Sequence, residues 1–127
     1  MDNLLTPLEL KVMNILWRLK KAVVWDIINN WSEEPKPAYQ TVSTIIRILD
    51  ESNPKGKAYI GHRSFGRTHQ YFPLISKAEY QKRLLGNIIE NAFSGSASSL
   101  LSALVDNEKL SDETLDGIQD YINKSKD

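Results

Sequence analysis

The clearest chemistry in this chain lies in a run of short polar side chains between Tyr39 and Arg47. Gln40 can pair with adenine, Arg47 with guanine or a phosphate, and Thr41, Ser43 and Thr44 with thymine methyls or phosphate oxygens. On a wheel of about 100° per residue, Gln40, Ser43, Thr44 and Arg47 share one side, while Val42, Ile45, Ile46 and Leu49 share the other. That division suits a helix in a DNA groove, and it equally describes a structural helix with one solvated face. Tyr39, at the head of the same segment, joins the candidate set. Further on, Arg63 and Arg67 flank the expected tip of a hairpin. Guanidinium groups there can reach phosphates or the minor groove, or simply blunt an edge strand.

Other chemistries find no complete set of residues. The chain has no cysteine, which removes disulfides, thiolate zinc sites, iron–sulfur clusters and a cysteine nucleophile. His62 and His69 lie on opposite strands of the hairpin, but no third ligand stands at fitting spacing, so no metal is expected. Tyr59, Tyr71 and Phe72 could form a stacking platform for single strands, although aromatics on short strands more often pack between sheet and helix. Phosphate-cradling glycine loops and hydrolase motifs are missing, and Asp112, Glu113 and Asp116 fit the first turns of a helix. Neither an enzyme nor a cofactor is expected.

The elements that must position these residues are legible. Thr6-Pro7-Leu8-Glu9 places a capping hydroxyl, a proline at the first helical position and a glutamate three residues on, opening a helix with Val12, Ile15, Leu16 and Leu19 on one stripe. Val24, Ile27, Ile28 and Trp31 repeat the helical spacing before the prolines at 35 and 37 break the chain. The polar-faced helix is expected from Pro37 to about Glu51. Two β-compatible runs follow, Lys57–His62 and Arg67–Phe72, bracketing a tip at Arg63–Gly66. Ser76-Lys77-Ala78-Glu79 starts another helix with Leu84 and Ile88 on a broad apolar stripe. Ser94-Gly95-Ser96 ends it, Leu100, Leu101 and Leu104 mark a further helix, and Ser111 caps a last one carrying Leu115, Ile118 and Ile122. Three short helices can hardly hide those faces alone, so a second copy of the chain is expected to cover them.

At 127 residues, with 41% hydrophobic and 25% charged residues, the chain has globular composition and room for one domain or two small lobes. No apolar run is long enough to span a membrane, and Asp2, Glu9, Lys11 and Arg18 interrupt any signal peptide, so a cytoplasmic protein without membrane insertion is expected. The net charge of zero hides an asymmetry. Residues 1–75 carry +3 and the remainder −3, and within 36–75 six basic residues face only Asp50 and Glu51.

The segment Leu5-Thr6-Pro7-Leu8-Glu9 with Val12-Met13 and Leu16-Trp17, then Val24 and Ile27, Thr41-Val42-Ser43-Thr44-Ile45-Ile46, Gly66-Arg67, Tyr71 and Pro73-Leu74-Ile75-Ser76 resembles the penicillinase-repressor family. Its likeness continues through Leu100, Leu101, Leu104, Val105 and Leu110-Ser111. The resemblance implies a dimeric winged-helix repressor with a three-helix dimerisation region. It also implies release by a membrane sensor protease acting on the dimerisation region or by another signal. In β-lactam-responsive members the cleaved bond is Asn-Phe in the second dimerisation helix, whereas Ala103-Leu104 stands at the aligned place here, so the cleavage specificity does not carry over. Three departures stand out. Ile48 occupies a place where the family commonly has arginine, an insertion around Asn53-Pro54 displaces a Lys-Gly pair, and the cysteines of the copper-responsive branch are missing.

The fold expected is therefore mostly α with a small β-hairpin: a winged helix-turn-helix over 1–75 and a helical dimerisation region over 76–127. The function expected is a homodimeric repressor on a palindromic double-stranded DNA operator. The alternative is a winged helix that binds proteins and not DNA.

Overall fold

A computed structural model describes residues 4–106 of the chain. The helix expected from Ser111, with Leu115, Ile118 and Ile122, lies outside the described residues. The elements are α1 (Pro7–Leu19), α2 (Val24–Asn29), α3 (Tyr39–Leu49), β1 (Ile60–Phe65), β2 (Thr68–Pro73), α4 (Lys77–Ala92) and α5 (Ala97–Asp106). This is a mostly helical winged helix-turn-helix with one two-stranded antiparallel hairpin. The chain forms two compact units, 1–81 and 82–127, so the first turn of α4 belongs to the first unit. No helix among the described residues is long and apolar enough to cross a membrane.

The first unit starts with the capping box foreseen at Thr6. The Glu9 amide donates to the Thr6 hydroxyl at 3.3 Å, and the Thr6 amide donates to the Glu9 carboxylate at 2.9 Å. Glu9 is itself buried, and the Lys57 ammonium compensates it at 2.6 Å while also donating to the Leu4 carbonyl. Helix α1 ends at Lys20, which takes a left-handed φ of 74° and returns its amide to Leu16. Val12, Met13 and Leu16 from α1, Ile27 from α2 and Val42, Ile46 and Leu49 from α3 make the core, with Tyr59 and Ile60 closing it below the hairpin. Tyr80 in the first turn of α4 is also buried, packing its ring on Trp17 and Tyr59 and accepting a hydrogen bond from the Leu5 amide at 3.1 Å.

Helix α3 and the hairpin both differ from the expected bounds, for one reason. Asp50 is extended, not helical, and bridges Ile60, while the Lys57 and Tyr59 amides donate to the carbonyls of Ile48 and Leu49. The chain after α3 thus caps the helix before it can enter the sheet. The Asn53 insertion joins in by donating its side-chain amide to the Arg47 carbonyl at 3.0 Å. Gly56 lies so close that a Cβ there would come 2.5 Å from the Ile48 oxygen, which no other residue would tolerate without a shift. Strand pairing consequently starts at Ile60 opposite Pro73 and runs to Phe65 opposite Thr68. The turn shrinks to Gly66 and Arg67, with Gly66 at a φ of 62° that glycine adopts without strain. On its other side β2 is pinned by Ala22, which exchanges two backbone hydrogen bonds with Tyr71 at 2.9 and 2.8 Å.

Within the second unit, the Ser99 amide donates to the Ser96 hydroxyl at 3.0 Å, starting α5 after Gly95 has turned the chain at a φ of 83°. No residue of α5 is buried.

Two outcomes follow from this packing. Leu16→Ala empties a fully buried site and should lower unfolding free energy by about 2–5 kcal/mol, read as a lower urea midpoint at unchanged slope. Tyr71 stands beside Asp50, and its phenol is raised above its ordinary value by burial first and then by the Asp50 charge and Tyr39, with Arg47 opposing. The folded state therefore favours the neutral phenol. Its contribution to stability is complete below about pH 10 and is lost as pH rises through the raised folded value. Tyr71→Phe should lose less stability than the parent chain above about pH 10 in urea titrations at successive pH values, and parallel curves would disprove the linkage.

Candidate nucleic-acid interface

The spacing of α3 turns its two sets of side chains in opposite directions. Val42, Ile45, Ile46 and Leu49 are buried, whereas Tyr39, Gln40, Thr41, Thr44 and Arg47 are exposed and Ser43 is half-buried. The Thr44 hydroxyl donates to the Gln40 carbonyl one turn back at 2.9 Å. Its donor is spent, so an outside partner meets a methyl group and the oxygen's lone pairs. Ile48, in the place where the family resemblance expects arginine, is 37% exposed on the same helix.

Arg67 sits in the hairpin turn beside Gly66, as expected for a residue at the wing tip. Arg63 does not flank the tip. The longer strand pairing places it inside β1 opposite Gln70, exposed but set back from the turn. Arg47, Arg63 and Arg67 have no ion-pair partner among the described residues, which leaves their charge available to an anionic surface.

Behind this surface a polar cluster joins helix to wing. The His62 Nδ1–H donates to the Asp50 carboxylate at 2.7 Å, and Asp50 also accepts from the Ser52 amide at 3.0 Å. His69 packs edge-on against His62 with ring centroids 4.6 Å apart. Ser43, Arg47, Asp50, His62, His69 and Tyr71 help to line a cleft of about 210 Å³ between α3 and the hairpin. His62 is thus engaged by a carboxylate, and among the described residues no group of three or more His, Cys, Asp or Glu is arranged to hold a metal ion.

A second cleft, of about 260 Å³, brings Tyr39 and Arg67 together with Trp25 and His69. Trp25 is 57% exposed and its ring lies 5.2 Å from that of Tyr39. Sequence reasoning missed it. A tryptophan that falls off the Val24, Ile27, Ile28, Trp31 stripe should stand on the outer face of its helix, and that offset was the available clue.

The candidate dimerisation residues fall in two groups. Leu84 and Ile88 on α4, and Leu100, Leu101 and Leu104 on α5, are all half-buried. Leu115, Ile118 and Ile122 lie outside the described residues.

Residues 5–124 match the family model described as penicillinase repressor. The chain is also similar to the methicillin resistance regulatory protein MecI of Staphylococcus aureus (strain N315), of Staphylococcus epidermidis and of Mammaliicoccus sciuri. Each is 26% identical over 127 residues, covering 98% of this chain and 99% of the relative. Members of this family are transcription regulators and not enzymes. With a family match running along almost the whole chain and a winged helix-turn-helix at its start, the chain belongs to the penicillinase-repressor family of transcriptional repressors.

Proposed function

We propose that the protein represses transcription as a cytoplasmic homodimer on a palindromic operator, with α3 in the major groove and the hairpin wing on the flanking backbone. Residues 1–75 bind DNA and residues 76–127 dimerise. The observation that carries this reading is the outward polar face of α3, Gln40 to Arg47, lying beside a wing tip that bears Arg67. Tyr39, Gln40, Thr41, Ser43 and Thr44 meet bases and nearby phosphates, Arg47 meets guanine or phosphate, and Arg63 and Arg67 meet the backbone. A winged helix that binds only proteins has less use for three arginines without ion-pair partners in the described structure.

Dimerisation is supported by the apolar faces of the second unit. None of the residues Leu84, Ile88, Leu100, Leu101 and Leu104 is fully buried within one copy. Covering the exposed remainder of each between copies would contribute a fraction of the about 1.5–3 kcal/mol that burying a fully exposed side chain gives, before entropy is subtracted. A twofold dimer sets two α3 helices about 34–36 Å apart, or a multiple of that, so that half-site energies combine. Release follows from loss of this interface, through a membrane sensor protease acting on the dimerisation region or through another signal.

Two experiments test these assignments. On a duplex spanning the DNA upstream of the protein's own gene, Gln40→Ala and Thr44→Ala should each relax preference at particular base pairs by about 1–3 kcal/mol while leaving affinity for an unrelated duplex nearly intact. Arg67→Ala should weaken both duplexes alike and lower the salt slope by about one phosphate contact. Parallel losses from the α3 variants would remove base reading from that face, and an unchanged slope would remove Arg67. For the second unit, Leu104→Asp in the full chain should sediment as a monomer and lose most operator affinity while keeping weak, salt-sensitive binding. A dimeric Leu104→Asp protein, or a parent chain monomeric at micromolar concentration, would overturn the dimer assignment.

A further inference from the structure

The aromatic pair at the front of the helix-turn-helix is not explained by folding. Trp25 and Tyr39 stand on different helices, are 57% and 43% exposed, and meet each other with ring centroids 5.2 Å apart. A core would have taken these rings in. The other two tryptophans show what that looks like: Trp31 is buried, and the Trp17 indole donates to the Ile75 carbonyl at 2.8 Å. The Trp25 indole N–H has no hydrogen-bond partner among the described residues.

The surroundings state what the pair could meet. Arg67 of the wing tip lines the same cleft of about 260 Å³, with Thr68 and His69 beside it, and no carboxylate lines it. The nearby Asp26 accepts a hydrogen bond from the Val23 amide at 3.1 Å, which keeps its charge engaged with its own backbone. A surface that alternates flat apolar rings, one indole donor and one guanidinium matches a nucleic-acid strand, whose deoxyribose faces are apolar and whose phosphates are acceptors. Tyr39 also begins the helix whose polar face is assigned to the groove, so cleft and groove face are continuous.

We propose that Trp25 and Tyr39, with Arg67, grip the sugar–phosphate backbone of one DNA strand at each half-site. The rings lie on deoxyribose and the Trp25 N–H donates to a phosphate oxygen. This deepens the DNA-binding reading and rests on it. Since the contact is to backbone, Trp25 adds affinity on any duplex and carries no base preference of its own.

The test uses the full chain and the Trp25→Phe and Trp25→Ala variants. Each is titrated with the duplex upstream of the protein's own gene and with an unrelated duplex of equal length, following both affinity and tryptophan emission. Because Trp25 is mostly exposed, both variants should keep the parent's urea midpoint. Trp25→Ala should weaken both duplexes about tenfold, and Trp25→Phe, which keeps a ring but no donor, by less. DNA should quench the emission of the parent chain and protect it from acrylamide, and Trp25→Phe should lose that change while still binding. If Gln40→Ala and Arg67→Ala weaken binding but Trp25→Ala does not, or if the DNA-induced emission change survives in Trp25→Phe, the grip is disproved and the DNA-binding reading stands. A loss on the upstream duplex alone would make Trp25 a base reader and also overturn the proposal. Failure of the parent chain to bind either duplex at low salt would overturn both.

Discussion

The carboxylate of Asp50 is the point on which the first unit turns. It is buried at the end of α3, where an unpaired charge would cost several kcal/mol, and the chain answers it from two directions. The Ser52 amide binds it from the turn that follows, and His62 binds it from the first hairpin strand. The same residue ends the helix by becoming extended and bridging Ile60. One residue therefore stops α3 and starts the path into β1 through its backbone, and fixes the wing against the helix through its side chain. The relative placement of Gln40, Arg47 and Arg67 depends on that joint, because each sits on an element that Asp50 either terminates or anchors.

Much of this was legible from sequence wherever the cause was local. The capping box at Thr6, the two faces of α3 and the serine that opens α4 each depend on residues within a turn of one another, and each appears as read. The misplaced features have distant causes. Lys57 was counted as part of a strand, but it is drawn instead to Glu9, forty-eight positions away, and to the end of α3. That diversion shortens the start of β1, and the pairing then runs farther toward the tip, leaving Arg63 inside the strand. Trp25 lies off the Val24, Ile27, Ile28, Trp31 stripe, and a single outward ring on a helix of six residues leaves no periodicity of its own.

The two units manage their apolar residues in opposite ways. In the first, Val12, Met13, Leu16, Ile27, Val42 and Leu49 are enclosed, and even the aromatic Tyr80 finds both ring partners and a hydrogen bond. The second has α5 with a strongly apolar composition and nothing buried. A helix in that condition gains its stability from tertiary contact more than from its own backbone. Where a partner supplies the contact, the interface and the fold of the unit are linked, and whatever damages one loosens the other.

The hydrogen bond between the Leu5 amide and the Tyr80 hydroxyl, together with that from Trp17 to the Ile75 carbonyl, has a consequence for biosynthesis. Both ends of α1 are tied to chain that is made much later. As the polypeptide emerges from the ribosome at about 5–20 residues per second, α1, α2 and α3 can form turns and touch, but the rings of Trp17 and Tyr59 lack their Tyr80 partner until the first turn of α4 is out. The aromatic seal over the base of the unit closes last, so a nascent chain stalled at the hairpin would hold α3 beside an unfinished core, with apolar surface offered to chaperones.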